Sequence, residues 1–192
     1  MGKFLIRSAL VFLAVVTGLS GVASAVDASA DAVLRVGLYY DSNALPGANL
    51  ENSVGSGYRL GYYEEDLSFH ELGHTSETQI SMVKTQNVTL SDGNYVDGTG
   101  TVTVGCYHLQ LPKTYASFQE ALDTAETLTD GFPAWIDGSY YVRSGAYTTK
   151  EEAEAGKAAL GLNDAEVVGT SGYAVSVVVT KTGEVLFQFE GG

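Results

Sequence analysis

The segment His70-Glu71-Leu72-Gly73-His74 has the spacing of a zinc-hydrolase motif, H-E-x-x-H. On a helix, two histidines four residues apart lie one turn apart and bind one metal ion, while the glutamate activates a bound water. If this segment is helical and a third ligand completes the site, the chain is a zinc metallopeptidase.

The surroundings of this motif argue against a metal site. The flanking residues are rich in glycine and tyrosine and favour a strand, and Gly73 would weaken a helix. The extended motif requires a glycine and a third histidine, but Glu77 and Ile80 hold those two places, and the only other histidine is His108. We therefore interpret the match as an accident of a turn between strands, and we predict no metal and no other cofactor.

A second group of side chains has the chemistry to bind a ligand without catalysis. Three alternating segments between residues 107 and 147 are typical of strands. If Leu109, Ala134, Ile136 and Val142 face inward, alternation turns a polar and aromatic set outward. The members of this set are His108, Gln110, Trp135, Tyr141 and Arg143.

This outward set suits a carbohydrate. Aromatic rings stack on the apolar faces of sugars, and amide and guanidinium groups donate hydrogen bonds to hydroxyl and N-acetyl oxygens. The alternative is that Trp135 or Tyr141 packs against the N-terminal half of the chain, because exposed large aromatic side chains often mark an interface.

An internal repeat defines the elements that position these side chains. Residues 107–131 and 140–161 each contain a short alternating strand, a tyrosine, a helix and a glycine. Each helix begins with a capping box, in which a hydroxyl accepts a free amide and a glutamate reaches back. The caps are Ser117 with Glu120 and Thr149 with Glu152, and the glycines expected to end the helices in left-handed conformation are Gly131 and Gly161.

The repeat predicts the fold of this region. Asp137-Gly138 is a strong signal for a hairpin turn between the two units, and residues 165–168 give a final strand. The resulting order is β-α-β-β-α-β, which predicts an α+β fold with a four-stranded antiparallel sheet and two helices on one face.

The rest of the chain divides into three further segments. Residues 1–25 have a positive start, an apolar run and the tripeptide Ala23-Ser24-Ala25, which predict a signal peptide cleaved after Ala25; an uncleaved membrane anchor is the alternative. Residues 33–104 predict a β-rich module. Residues 171–192 predict a β-hairpin, which either pairs with that module or begins a further domain.

Charge and cysteine content narrow the function classes. The chain of 192 residues has a formal net charge of −13 and a pI of about 4.4, which excludes nucleic acid and makes anionic lipid surfaces poor partners. The single cysteine, Cys106, permits no internal disulfide. It adjoins an apolar strand pattern, so we interpret it as a packed side chain rather than a nucleophile.

The string from Tyr140 to Tyr147, followed by an alanine-rich helix, resembles the signature of the SPOR domain, and Tyr107-His108-Leu109-Gln110-Leu111 repeats it. Ser144 and the insertion Pro112-Lys113 depart from that pattern. The resemblance implies a β-α-β-β-α-β domain over residues 105–170 that binds peptidoglycan glycan strands lacking stem peptides, with Gln110 and Arg143 in the outward polar position of the motif.

Residues 33–65 are also similar to the region before a SPOR domain in exported SpoIID/LytB proteins of spore-forming bacteria. This resemblance implies a secreted, cell-wall-associated protein of sporulation, or one anchored by its N-terminal segment, with a cell-wall hydrolase as a partner. In this interpretation the terminal hairpin begins the SpoIID-type core. The alternative function is the N-terminal part of a lytic transglycosylase or amidase enhancer. Since no segment matches the family's catalytic glutamate region, we predict a binding protein and not an enzyme.

Overall fold

The computed structural model describes residues 45–169 and 174–190. The predicted signal peptide and the first part of the predicted β-rich module, residues 33–44, lie outside the described residues. The described ranges contain thirteen strands and two helices. The chain is therefore mixed α+β and mostly sheet, which confirms the predicted class.

The elements follow one another along the chain as a run of strands interrupted by two helices. The strands are β1 (Gly47–Glu51), β2 (Tyr58–Tyr63), β3 (Phe69–Thr75), β4 (Gln79–Lys84), β5 (Val88–Ser91), β6 (Asn94–Asp97), β7 (Thr103–Val104), β8 (Tyr107–Gln110), β9 (Gly131–Ile136), β10 (Ser139–Tyr147), β11 (Glu166–Gly169), β12 (Val175–Val179) and β13 (Val185–Glu190). The helices are α1 (Phe118–Ala125) and α2 (Lys150–Leu160).

Eight strands form one continuous sheet in the order β1-β4-β12-β13-β9-β10-β8-β11. Every neighbouring pair is antiparallel except β13 and β9, which are parallel. The C-terminal hairpin β12–β13 lies in the middle of this sheet, paired with β4 on one side and β9 on the other. The sheet thus contains strands from residues 33–104, 105–170 and 171–192, which the sequence analysis treats as separate segments. The C-terminal hairpin pairs with strands of the other two segments.

The region of the internal repeat has the predicted order of elements. It runs β8, α1, β9, β10, α2, β11, and its four strands are neighbours in the order β9-β10-β8-β11, all antiparallel. These four strands are not a free-standing sheet, because β9 continues into β13. The turn between β9 and β10 consists of Asp137 and Gly138, with φ of 46° and 81°, as a two-residue hairpin turn requires.

Both helices begin where the sequence predicts. The Ser117 hydroxyl accepts from the Glu120 amide at 3.3 Å, and the Glu120 carboxylate accepts from the Ala116 amide at 3.2 Å. Thr149 and Glu152 form the same kind of cap on α2. Each cap satisfies backbone amides that the first turn leaves without partners.

The predicted helix ends are confirmed for one helix only. Gly161 follows α2 with φ of 68°, in the left-handed region. The prediction for Gly131 is wrong: α1 ends at Ala125, Asp130 takes the positive φ of 49°, and Gly131 is the first residue of β9. Of the two helices in the described ranges, neither has the length and apolar character needed to cross a membrane.

The two helices pack on one face of the sheet. Phe118 and Ala121 of α1 lie in the same buried cluster as Tyr140 and Val142 of β10, and Ala153 of α2 packs with Leu109 of β8 in another. The small side chains of α2 let it lie close to the sheet. This face therefore carries most of the apolar core.

The opposite face is partly covered by a second sheet. Strands β6-β5-β7 form a three-stranded sheet, whose residues Val88, Tyr95 and Val104 pack against Val83 and Val178 of the large sheet. The remaining sheet consists of β2 and β3 alone. This β2–β3 hairpin lies beside α1 and forms one wall of the candidate site.

Candidate functional site: an aromatic cleft beside a β-hairpin

The residues predicted to form a binding surface do not lie on one open face. His108 and Arg143 are 0% and 3% exposed, so the prediction that they face solvent is wrong. Gln110 and Tyr141 are partly exposed on the same side of the sheet as Arg143. Alternation gave the correct side of the sheet for these four residues, but it does not reveal what covers that side.

His108 and Arg143 belong to a buried network of polar side chains. Arg143 Nε donates to Gln110 Oε1 at 2.9 Å, and Arg143 Nη1 donates to Gln188 Oε1. The Gln188 amide nitrogen donates to Ser176 Oγ at 3.0 Å and lies 3.1 Å from His108 Nε2. No described carboxylate forms an ion pair with Arg143, so neutral amides hold a buried guanidinium.

The network also fixes the state of the imidazole. His108 Nδ1 lies 2.7 Å from the carbonyl oxygen of Gly145, which only accepts, so Nδ1 carries the proton. Nε2 then accepts from the Gln188 amide. The pKa of His108 is lowered to about 4, chiefly by burial; the hydrogen bond to Gly145 opposes this shift, and the nearby Arg143 guanidinium adds to it. Burial likewise lowers the pKa of Arg143 to about 10.

Trp135 faces the opposite way from its predicted orientation. The two-residue turn pairs Trp135 with Tyr140 across the hairpin, and their ring centroids are 4.6 Å apart. Both rings lie on the helix side of the sheet, whereas Ala134, the partner of Tyr141, lies on the other. The predicted inward direction of Ala134 and Ile136 is therefore wrong, and the register of the turn was the signal that would have corrected it.

Trp135 lines a cleft between the β2–β3 hairpin and the start of α1. The cleft has a volume of about 640 Å³, within the range of ligand sites. Its aromatic side chains are Trp135, Tyr115, Phe118 and Tyr140, and strand β3 contributes residues 70–74. Trp135 is partly exposed, while the other three rings are largely buried. The cleft thus presents one accessible indole over an aromatic floor.

The whole H-E-x-x-H segment lies in the wall of this cleft, on strand β3 and not on a helix. Two side chains four residues apart on a strand are separated by more than about 10 Å, too far for one metal ion. Among the described residues no group of three potential ligands could hold a metal. The geometry on which the zinc interpretation depends is therefore not present.

A β-bulge gives the same segment a different arrangement. Leu60 pairs with Gly73 and Gly61 pairs with Glu71, which leaves Leu72 as an extra residue. The bulge reverses the alternation, so Glu71 and His74 lie on the same side of the strand, with Glu71 Oε1 3.0 Å from His74 Nδ1. The carboxylate only accepts, so Nδ1 donates.

An arginine completes this polar chain. Arg59 Nε donates to Glu71 Oε2 at 2.5 Å. The pKa of the Glu71 carboxyl is held below its usual value, first by the hydrogen bond from Arg59 and also by His74. The chain Arg59–Glu71–His74 therefore presents a fixed anionic carboxylate and a fixed imidazole at the mouth of the cleft.

Three contacts hold the hairpin against the helix and the sheet. The Tyr140 hydroxyl donates to the Leu72 carbonyl oxygen at 2.8 Å. A Cβ at Gly73 would lie 2.8 Å from the Phe118 ring, so only glycine permits the hairpin to approach α1 this closely. The His74 ring packs on Phe118 as well, with centroids 5.1 Å apart.

The sequence analysis interpreted the segment 70–74 as a turn between strands, but it lies within strand β3. Its proximity to Trp135 was not predicted, because it depends on long-range packing of the hairpin against α1. Cys106 lies outside the cleft lining. Burial raises the pKa of its thiol, which keeps the thiol protonated and makes it a weak nucleophile.

No family model, curated protein or solved structure matches the chain.

Proposed function

We propose that this protein binds glycan strands of peptidoglycan without cleaving them, and that the cleft around Trp135 is the binding site. The observation that carries the proposal is a partly exposed indole beside an ordered chain of polar groups, Arg59–Glu71–His74. A sugar ring has apolar faces and a rim of hydroxyl groups, so it needs both kinds of partner.

The arrangement of the cleft favours binding over hydrolysis. Cleavage of a glycosidic bond needs a carboxylic acid whose pKa is raised so that it remains protonated. Glu71 is the carboxylate in the cleft lining, and its pKa is lowered by Arg59 and His74. A carboxylate with a lowered pKa accepts hydrogen bonds from sugar hydroxyls and is a poor donor of a proton to a leaving group.

Two further observations support the choice of glycan. Within the eight-stranded sheet, the four antiparallel strands β9-β10-β8-β11 with two helices on one face are compatible with the α+β domain that the SPOR resemblance implies. The net charge of −13 disfavours polyanions such as nucleic acid. The proposed site differs from the one implied by the family, since Arg143 is enclosed and Trp135 lies on the helix side.

The test is co-sedimentation with purified sacculi, either intact or stripped of stem peptides by an amidase, with and without a chelator. We expect binding that ignores the chelator and is stronger on stripped wall. Trp135→Ala should weaken binding at least about tenfold, since it removes the stacking surface. Trp135→Phe should retain part of the affinity and controls for loss of packing against Tyr140.

Tyr141→Ala is the matched control, because Tyr141 is a partly exposed aromatic residue on the other side of the same hairpin. It should leave binding unchanged. Loss of binding in Tyr141→Ala with retention in Trp135→Ala would move the site to the other face. Absence of binding by the unaltered protein to both wall preparations would overturn the proposed function.

A further inference from the structure

The β2–β3 hairpin extends beyond the body of the protein and carries exposed aromatic side chains. Its base is packed: Leu72 and Gly73 are buried, and Tyr58 and Leu60 contact the core. Every residue from 61 to 68 is exposed. Tyr62, Tyr63 and Leu67 expose 44%, 46% and 68% of their surface, so this hairpin arm, residues 61–70, concentrates apolar surface that does not contribute to the core.

The two faces of the arm differ in their relation to the cleft. Tyr62 stacks on His70 across the strands, with centroids 4.9 Å apart and planes inclined by 20°, and His70 lines the cleft. Tyr63 packs on Phe69 at 5.2 Å on the opposite face, and neither lines the cleft. By register, the Tyr63–Phe69 face also carries Arg59 and Glu71, and the Arg59 guanidinium lies 4.9 Å from the centroid of the Phe69 ring. The Tyr62–His70 face therefore continues the aromatic lining of the cleft outward, whereas the Tyr63–Phe69 face continues the polar side chains Arg59 and Glu71.

The Tyr62 side chain affects the pKa of Tyr140, which lies on the floor of the cleft. The pKa of Tyr140 is raised first by burial and then by Glu71 and by Tyr62. The Tyr140 ring in turn packs on Trp135, with centroids 4.6 Å apart and planes inclined by 59°. A ligand lying on Trp135 and extending along β3 would next meet the Tyr62–His70 stack.

From this continuity we infer that the Tyr62–His70 face is a second sugar subsite, and that the ligand is a linear glycan long enough to span it and the cleft. The inference rests on the proposed function. It adds that affinity depends on chain length, because the outer sugar rings stack on Tyr62 only after the inner ones occupy the cleft.

The charges of the arm indicate what kind of ligand fits. The tip carries Glu64, Glu65 and Asp66 in succession, all exposed. Three carboxylates repel an anionic lipid surface, and they accept hydrogen bonds from hydroxyl groups. A neutral polyhydroxylated chain matches both the rings and the carboxylates, whereas a membrane matches only the rings.

The experiment uses chitin oligosaccharides of two to six sugars, which are neutral and linear and share N-acetylglucosamine with peptidoglycan. Trp135 is the only tryptophan of the chain, so its fluorescence reports occupancy of the cleft directly. We expect all lengths to change the fluorescence, and the longer oligosaccharides to bind roughly 5- to 10-fold more tightly than the shortest, the gain of one aromatic stack.

Two neighbouring tyrosines provide the decisive pair of variants. Tyr62→Ala should abolish the gain with length and leave the affinity for the shortest ligand unchanged. Tyr63→Ala removes a ring of nearly equal exposure on the opposite face, and it should retain the full gain. Equal effects of the two substitutions, or no effect of Tyr62→Ala at any length, would overturn the inference.

The outcomes also separate this inference from the proposed function. Binding of short and long oligosaccharides with equal affinity would refute the second subsite and leave the cleft as a glycan site. No binding of any oligosaccharide, with Trp135-dependent sacculus binding intact, would refute the linear N-acetyl sugar ligand alone. A dimer in light scattering that Tyr62→Ala dissociates would show instead that the arm binds a second copy of the chain.

Discussion

Two hydrogen-bonded groups of polar side chains lie on opposite sides of the same β-rich body. Each group contains an arginine, a histidine and a residue that connects them. In the cleft, Glu71 connects Arg59 and His74. On the other side of the sheet, Gln188 connects Arg143 and His108. The first connector is a carboxylate and the second is an amide.

The difference between the connectors follows from exposure. Arg59 and Glu71 have 65% and 33% of their side-chain surface exposed, so water shares the solvation of both charges. Gln188 and His108 are 0% exposed, and there a neutral imidazole needs a donor, which an amide supplies and a carboxylate does not. The exposed group, Arg59–Glu71–His74, is therefore accessible to a ligand. The enclosed group, Arg143–Gln188–His108, instead satisfies the hydrogen-bonding needs of buried polar side chains.

The largest expected effect on the free energy of unfolding comes from a change in the enclosed group of polar side chains. Gln188→Ala leaves the Arg143 guanidinium and the His108 ring without their shared partner, and buried polar groups without partners are costly. We expect the free energy of unfolding to fall by about 3 kcal/mol, measured by urea denaturation. A loss below about 1 kcal/mol would show that water reaches this network.

A somewhat smaller effect is expected from acid. The pKa of His108 falls from 6.5 to about 4 on folding, so the unfolded chain binds more protons between these values. Stability is complete above pH 6.5 and declines as the pH falls towards 4, by about 2 kcal/mol at pH 5. Glu71 and Glu152, whose pKa values lie below 4.5, lose their contributions only at lower pH, so urea denaturation at pH 7 and pH 5 isolates His108.

Gln188→Glu is the informative variant for this acid effect. A carboxylate at position 188 pairs with Arg143 but accepts from His108 only when the imidazole is protonated, which raises the pKa of His108. Its contribution would then be present below pH 6.5 and decline as the pH rises through the raised value. The comparison between pH 7 and pH 5 should reverse in sign, and an unchanged pH dependence would exclude His108 as its origin.

The smallest effect on the free energy of unfolding is expected from a change in the exposed group of polar side chains. Glu71→Gln removes the charge that Arg59 and His74 share, but both partners remain in contact with water. Exposed ion pairs contribute little, so the free energy of unfolding should change by less than about 0.5 kcal/mol in the same urea assay. A loss as large as that of Gln188→Ala would mean that the β2–β3 hairpin needs these hydrogen bonds to keep its position.

Local signals predicted much of the repeat region. The capping residues Ser117 and Thr149, the turn at Asp137-Gly138 and the left-handed Gly161 each act within a few residues, and the structure confirms all of them. Gly131 was predicted wrongly because the helix ends at Ala125, with Glu126 as a right-handed C-cap, well before this glycine. Asp130 takes the left-handed conformation that leads into β9, which aspartate tolerates better than most residues.

Long-range packing set the limits on predicting the site. Whether His108 meets water depends on Gln188, which is 80 residues away in sequence, and no local pattern reports such a partner. Trp135 was different, since the two-residue turn fixes its register with Tyr140 and that information was already in the sequence. The H-E-x-x-H segment was predicted to be a turn between strands, whereas it lies in the bulged strand β3, where the bulge places Glu71 beside His74.

The position of the C-terminal hairpin has a consequence for how the chain folds. Strands β12 and β13 are the last of the described strands, yet they stand between β4 and β9 and join the two halves of the large sheet. The eight-stranded sheet cannot become continuous during synthesis until residues 175–190 have left the ribosome. Pairing β12 with β4 then brings together segments about a hundred residues apart. Folding should therefore be slow, and until then both β4 and β9 present open edges on which another chain could pair.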